Sequence, residues 1–113
     1  MSGSVEQARA LMLESFSESY TEARGKFLAA VDAAGGRVLQ RYTNPTRGPA
    51  GEELIADVAR IGPEDARRVL LLNSGTHGIE GYCGSGCFTG WLAGGHWRTL
   101  PPASQPVKQP EPQ

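Results

Sequence analysis

His77 and Glu80 stand three residues apart in the run Val69-Leu70-Leu71-Leu72-Asn73-Ser74-Gly75-Thr76-His77-Gly78-Ile79-Glu80-Gly81, where an apolar stretch passes straight into a glycine-rich turn. A neutral imidazole and a carboxylate are both good Zn²⁺ donors, and this spacing lets them converge on one ion from a single loop. In an α/β sheet, ligands bind beyond the carboxyl ends of the strands, so residues just past Leu72 occupy the place where chemistry is usually done. Asn73, Ser74 and Thr76 are the polar neighbours that could orient the imidazole by hydrogen bonding. The bare H-x-x-E spacing is a weak signal; its position between an apolar strand and a glycine-rich turn strengthens it.

Other chemistries fit the same residues less well. A phosphate loop needs G-x-x-x-x-G-K-[ST], and although Gly81 and Gly86 have the spacing, Cys87-Phe88 replaces the lysine and hydroxyl. A nucleophile elbow around Ser85 fails because Cys83 and Cys87 stand where its glycines should be. A cysteine nucleophile paired with His77 or His96 is an open alternative, set against the more common role of small helical cysteines as packing residues. A four-ligand structural zinc from His77, Glu80, Cys83 and Cys87 is conceivable, but the carboxylate and the lack of a second C-x-x-C knuckle weigh against it. His96, beside Trp97 and Arg98, reads as a surface histidine.

The run SGTHGIEGYCGSG resembles the first zinc-binding motif of the metallocarboxypeptidase superfamily, in particular a bacterial branch filed as domain of unknown function 2817, whose members carry Ser-Gly-Thr-His-Gly-x-Glu-Gly. Aspartoacylase and succinylglutamate desuccinylase use a similar His-Gly-x-Glu. The segments Ser19 to Leu28, Asn44 to Gly51, Ala56 to Ala59 and Gly62-Pro63 look like the same branch, which places the resemblance at residues 16–104. It implies an α/β fold, the amino-terminal part of a zinc-carboxypeptidase-like mixed sheet with flanking helices. It also implies a three-ligand zinc site in which His77 and Glu80 match the first two ligands. The third ligand, a general-base glutamate and a substrate-binding arginine lie far downstream in such enzymes, and no residue here matches them. The expected substrate class is a small peptide or N-acyl amino acid, with zinc as cofactor. A chain with two of three ligands reads as a truncated, inactive member. The alternative is a non-catalytic interaction module that binds a partner through an open sheet edge or its tail.

The 113 residues leave room for one small domain, whereas members of the branch are the size of a large α/β domain. A net charge of −1 gives no electrostatic reason to expect nucleic acid or an anionic membrane. No apolar run approaches the ~20 residues of a membrane span. The first residues, MSGSVEQARALMLESFSES, lack the basic-then-apolar layout of a secretory signal, so a cytoplasmic protein is expected. Cys83 and Cys87, four apart, suit one helix face better than a disulfide framework.

Ser4 with Gln7 forms a capping box before a short helix to Glu14, within an extension covering residues 1–15. Ser19 with Glu22 forms a second, followed by Tyr20, Ala23, Phe27, Ala30, Val31 and Ala34 at helical spacing until Gly35-Gly36. Arg37 to Thr43 and Glu53 to Arg60 alternate as strands, joined by a turn at Asn44 to Gly51, and should pair antiparallel. Val69 to Leu72, apolar on both faces, reads as a central covered strand. Tyr82 to Ala93 reads as a helix packed on the sheet, with Cys83, Cys87 and Trp91 in one row and Gly94-Gly95 as its stop. Five of the eight prolines follow Leu100, so residues 105–113 read as a disordered, proline-rich tail. Without further strands to cover it, such a sheet is expected to self-associate through its exposed edge.

Overall fold

The computed structural model describes residues 4–75, 79–100 and 104–105. It is an α/β arrangement: helices α1 (Val5–Ser15) and α2 (Tyr20–Ala33), strands β1 (Arg37–Arg47), β2 (Glu53–Arg60) and β3 (Arg68–Val69), helix α3 (Gly81–Ala93), a 3₁₀ turn (His96–Thr99) and strand β4 (Ser104–Gln105). β1 pairs antiparallel with β2, and β3 pairs parallel with β4.

Both helices start at the expected serine caps, but only the first forms the full expected box. The Ser4 hydroxyl accepts from the Gln7 N–H at 3.1 Å while the Gln7 side chain accepts from the Ser4 N–H at 2.8 Å, which satisfies two donors that the first turn of α1 leaves without partners. At α2 the box is displaced by one residue. Ser19 Oγ accepts from the Glu22 N–H, but the Glu22 carboxylate accepts from the Glu18 N–H instead of that of Ser19. Lys26, one turn further along, lies 3.0 Å from Glu22 and holds its carboxyl below the ordinary glutamate value. The same ammonium donates to the carbonyls of Glu14 at 2.6 Å and Phe16 at 2.7 Å, so a lysine of α2 closes the C-terminal end of α1, whose own last turn has no basic residue. α2 ends in a Schellman motif: Gly35 takes φ of 76°, its N–H donates to Asp32, and the Gly36 N–H reaches back to Val31 at 2.8 Å.

The hairpin differs from expectation at its turn. β1 runs on to Arg47, and Thr43 faces Ile55 while Arg47 faces Glu53, so Asn44-Pro45-Thr46 is an irregularity inside the strand. Proline has no N–H to give the ladder and is tolerated where pairing is interrupted. Asn44 Oδ1 accepts from the Thr46 N–H, and the reversal itself spans Gly48 to Glu52, with Gly51 at φ of 82°. A second shift between Val38 and Gln40 breaks the expected two-face alternation, leaving both Val38 and Leu39 half-buried. Along β2, burial rises toward the carboxyl end instead of alternating: Val58, Ala59 and Arg60 are buried while Leu54 and Ile55 are only half-buried.

That core joins Ala30 and Val31 of α2, Ala59 and Ile61 at the end of β2, and Leu92 of α3, with Phe27, Trp91 and Trp97 packed around it. α3 therefore meets the sheet only at one end and otherwise lies on α1 and α2. The Phe27 and Phe88 rings stand 6.5 Å apart at the α2–α3 contact. α1 comes close because α3 presents Gly86 and Gly90 to it: a Cβ on Gly86 would sit 2.3 Å from Phe16 Cδ1, and one on Gly90 2.5 Å from Met12 Sδ.

The segment expected to form a covered central strand at Val69 to Leu72 does not. β3 is two residues long and spans Arg68–Val69, with Val69 and Leu71 exposed and Leu72 half-buried against the core. Its partner is Ser104–Gln105, at the point where an unstructured tail was expected to begin; residues 106–113 lie outside the described region.

A glycine substitution pair tests the packing. Gly86→Ala should destabilise the fold by about 1–3 kcal/mol by driving Phe16 off α3. Gly25→Ala, in α2 with no atom near its Cβ position, should instead add about 0.5–1 kcal/mol. Chemical denaturation of both variants reads the opposite signs.

Candidate functional site

A solvent-open cleft of about 1250 Å³ separates the hairpin from the start of α3. One wall is α2 and β2, contributing Tyr20, Arg24, Phe27 and Asp57; the other is Leu72 to Gly75 with Ile79, Gly81 and Ser85. The described residues of the glycine-rich motif thus form one rim of this cleft.

Sterics bring the motif there. Gly75 takes φ of 79°, and a Cβ on Gly81 would lie 3.0 Å from the Gly75 Cα, so the loop after β3 rests directly on the first turn of α3. Further along that turn, a Cβ on Gly84 would meet Ser74 Oγ at 2.4 Å. Ser74 Oγ is buried and has no hydrogen-bond partner among the described residues. Asn73 is exposed at the rim. Glu80 is the N-cap residue of α3 and is exposed, and its side chain makes no capping bond to the helix. A carboxylate at this end of a helix sits in the favourable field of the helix dipole. His77 and Thr76, the other two residues expected at the site, lie outside the described residues. Of the five candidates, then, Asn73 and Ser74 line the cleft and Glu80 stands between two residues that do.

The facing wall holds residues that the motif did not reveal. Tyr20 sets its hydroxyl on the outer edge of β2, donating to the Ile55 carbonyl at 2.6 Å and accepting from the Ile55 N–H at 2.7 Å. One side chain thus fills a ladder position that a third strand would otherwise take. One turn on, Arg24 grips Asp57 with two bonds, Nε to Oδ2 at 2.8 Å and Nη2 to Oδ1 at 3.1 Å. Asp57 is 5 % exposed, and Arg41 adds a longer contact of 3.5 Å from the far side. The Asp57 hydrogen bonds raise the Arg24 pKa above its ordinary value. The available signal was the acid at the centre of Leu-Ile-Ala-Asp-Val-Ala, since a buried carboxylate requires a cation, and an arginine of the preceding helix was there to supply one.

The cysteines also differ from expectation. Cys83 and Cys87 are free and exposed, so neither is a packing residue; the buried side of α3 is taken by Gly86, Thr89, Gly90 and Leu92. His96 is exposed on the 3₁₀ turn at the opposite end of α3.

The chain belongs to the family described as protein of unknown function (DUF2817), whose model matches residues 16–107, from the end of α1 past β4. No curated protein and no solved structure gives a match. Among the described residues no helix is long and apolar enough to cross a membrane.

The Arg24–Asp57 pair should matter for stability while the Arg41 contact should not. Asp57→Ala strands a half-buried guanidinium and should cost about 2–3 kcal/mol, below the full buried-pair figure because Arg24 keeps some solvent. Arg41→Ala, on an exposed side chain, should cost under about 1 kcal/mol. Urea midpoints of the two variants provide the comparison.

Proposed function

We propose that this chain is a metallocarboxypeptidase-like segment whose loop from Asn73 to Glu80 contributes two ligands, His77 and Glu80, to a zinc site for hydrolysis of a peptide or N-acyl amino acid. The observation that carries the reading is the position of the motif at the rim of the cleft, with Glu80 at the head of α3. The donor set fits the metal: an imidazole and a carboxylate from one turn are ordinary zinc ligands. Zinc held there would polarise a substrate carbonyl and bring the pKa of bound water toward neutrality. The chain's own residues hold and orient. His77 and Glu80 supply donor atoms, Asn73, Ser74 and Thr76 are placed in sequence to fix the imidazole, and the glycines let the loop lie on α3.

This set is incomplete within the sequence. The other histidine is His96, and α3 stands between it and Glu80. Fifteen or so residues at a helical rise of 1.5 Å put the two about 20 Å apart, too far to share an ion. With both ligands on one glycine-rich loop, the isolated chain should bind Zn²⁺ no tighter than about micromolar, roughly −8 kcal/mol. Isothermal titration at neutral pH measures this, with loss of the weak binding expected in His77→Ala. A nanomolar site would mean that another residue completes the shell. No binding at all would favour the second reading, an interaction module, for which the exposed Val69, Leu71 and Ile79 beside the cleft provide an apolar surface.

Water activation needs a positioned base besides the ligands, and Glu80 is the only carboxylate of the motif. The 113-residue chain should therefore show no zinc-dependent turnover of peptides or N-acyl amino acids. Chelator-sensitive hydrolysis that disappears in Glu80→Gln would refute the assignment of Glu80 to the metal alone.

A further inference from the structure

Cys83 and Cys87 lie one turn apart on α3, both free and both exposed, whereas the buried positions of the helix are Gly86, Thr89, Gly90 and Leu92. Residues at i and i+4 of a helix have Cβ atoms about 5–6 Å apart and project from the same face. Exposed side chains there can change rotamer at little cost, so two sulfurs can turn toward one point without any movement of the backbone. The two thiols already sense each other. Partial desolvation pushes the Cys87 thiol up, and the adjoining Cys83 adds to the shift through both charge and hydrogen bonding. The packing roles on this helix are filled by glycines, Thr89 and Leu92, so burial does not account for a pair of thiols on the solvent side.

We infer that Cys83 and Cys87 form a two-thiolate chelate for a soft monovalent cation, separate from the His77–Glu80 loop. Thiolates select soft ions such as Cu(I), which are content with few ligands, whereas an imidazole and a carboxylate suit zinc. Binding replaces each S–H by an S–metal bond, so two protons leave for each cation bound and no electrons are exchanged. Because both thiols must lose their protons to bind, the site is weaker at acid pH, where protons compete with the cation.

Titration of the reduced full chain with Ag⁺, a soft monovalent probe that needs no reductant, tests the site. One Ag⁺ should bind per chain, release two protons and remove both thiols from reaction with a thiol reagent. Cys83→Ser and Cys87→Ser should each weaken binding by at least tenfold, with the helical circular dichroism unchanged because both side chains are exposed. His77→Ala should leave stoichiometry and affinity as they were, which separates this site from the zinc loop. Two Ag⁺ per chain, each lost singly with one cysteine, would show independent thiols and overturn the chelate. So would Ag⁺-linked dimers in size-exclusion chromatography, or loss of binding in His77→Ala. Proton release and thiol counts on the unsubstituted protein decide the question even if a variant were to misfold.

Discussion

Helix α3 can be approached to near backbone contact from two sides, and the remainder of the structure is arranged around that fact. Gly86 and Gly90 admit the Phe16 ring and the Met12 sulfur from α1, while Gly81 and Gly84 admit Gly75 and Ser74 from the loop after β3. A methyl group at Gly84, Gly86 or Gly90 would come within 2.5 Å of its neighbour, and one at Gly81 would make a tight contact of 3.0 Å. Glycine lowers helix propensity by about 1 kcal/mol per residue, so a helix rich in it depends on what packs against it. Here that includes α1, α2 and the end of β2, joined at Leu92 and the Phe27–Phe88 contact. The local weakness of α3 and the closeness of its neighbours have one cause.

The opposite wall of the cleft is held by polar contacts. Tyr20 and Arg24, one turn apart on α2, fasten to β2 at Ile55 and Asp57, two residues apart and so on the same side of the strand by the period of a β-ladder. A helical period of about four and a strand period of two are matched by one tyrosine and one arginine. The tyrosine also closes the outer edge of β2 against another strand. On β1, Arg37, Arg41, Arg47 and the interruption at Pro45 put charge and irregularity along the other margin of the hairpin. Both margins therefore carry the features by which sheets resist indiscriminate pairing.

What could be read from the sequence was what is settled within a few residues. The Ser4 and Ser19 caps, the Gly35-Gly36 ending and the antiparallel pairing of Glu53–Arg60 with the strand before it are short-range chemistry, and they form as the residues indicate. The strand at Val69 to Leu72 depended on partners distant in the chain, and apolar composition cannot say whether those partners are present; two of its residues end up exposed. Similarly, Cys83, Cys87 and Trp91 follow at i, i+4 and i+8 but do not share one environment, since both cysteines are exposed while Trp91 packs against the core. Gly86, Thr89, Gly90 and Leu92 take the buried positions of α3, which spacing alone did not disclose. At the site, the motif disclosed one rim of the cleft. The Arg24–Asp57 wall is a contact across 33 positions that only the fold brings together.

The position of Glu80 follows from the same steric logic that places α3. A loop pressed onto the first turn at Gly75 and Gly81 leaves the residue just before the helix no buried side to occupy, so its carboxylate is exposed at the helix's positive end. That carboxylate makes no capping bond to the helix it precedes. As the proposed zinc ligand, it would join donors from elsewhere on the ion instead of binding one unaided. Precise coordination requires neighbouring groups that lock each donor's orientation. The wall that could provide such groups, Tyr20, Arg24 and Asp57, faces the loop across open cleft and is already engaged in holding α2 to β2. In the proposed reading, the motif is therefore one rim of a site whose affinity would depend on what occupies the space between the two walls.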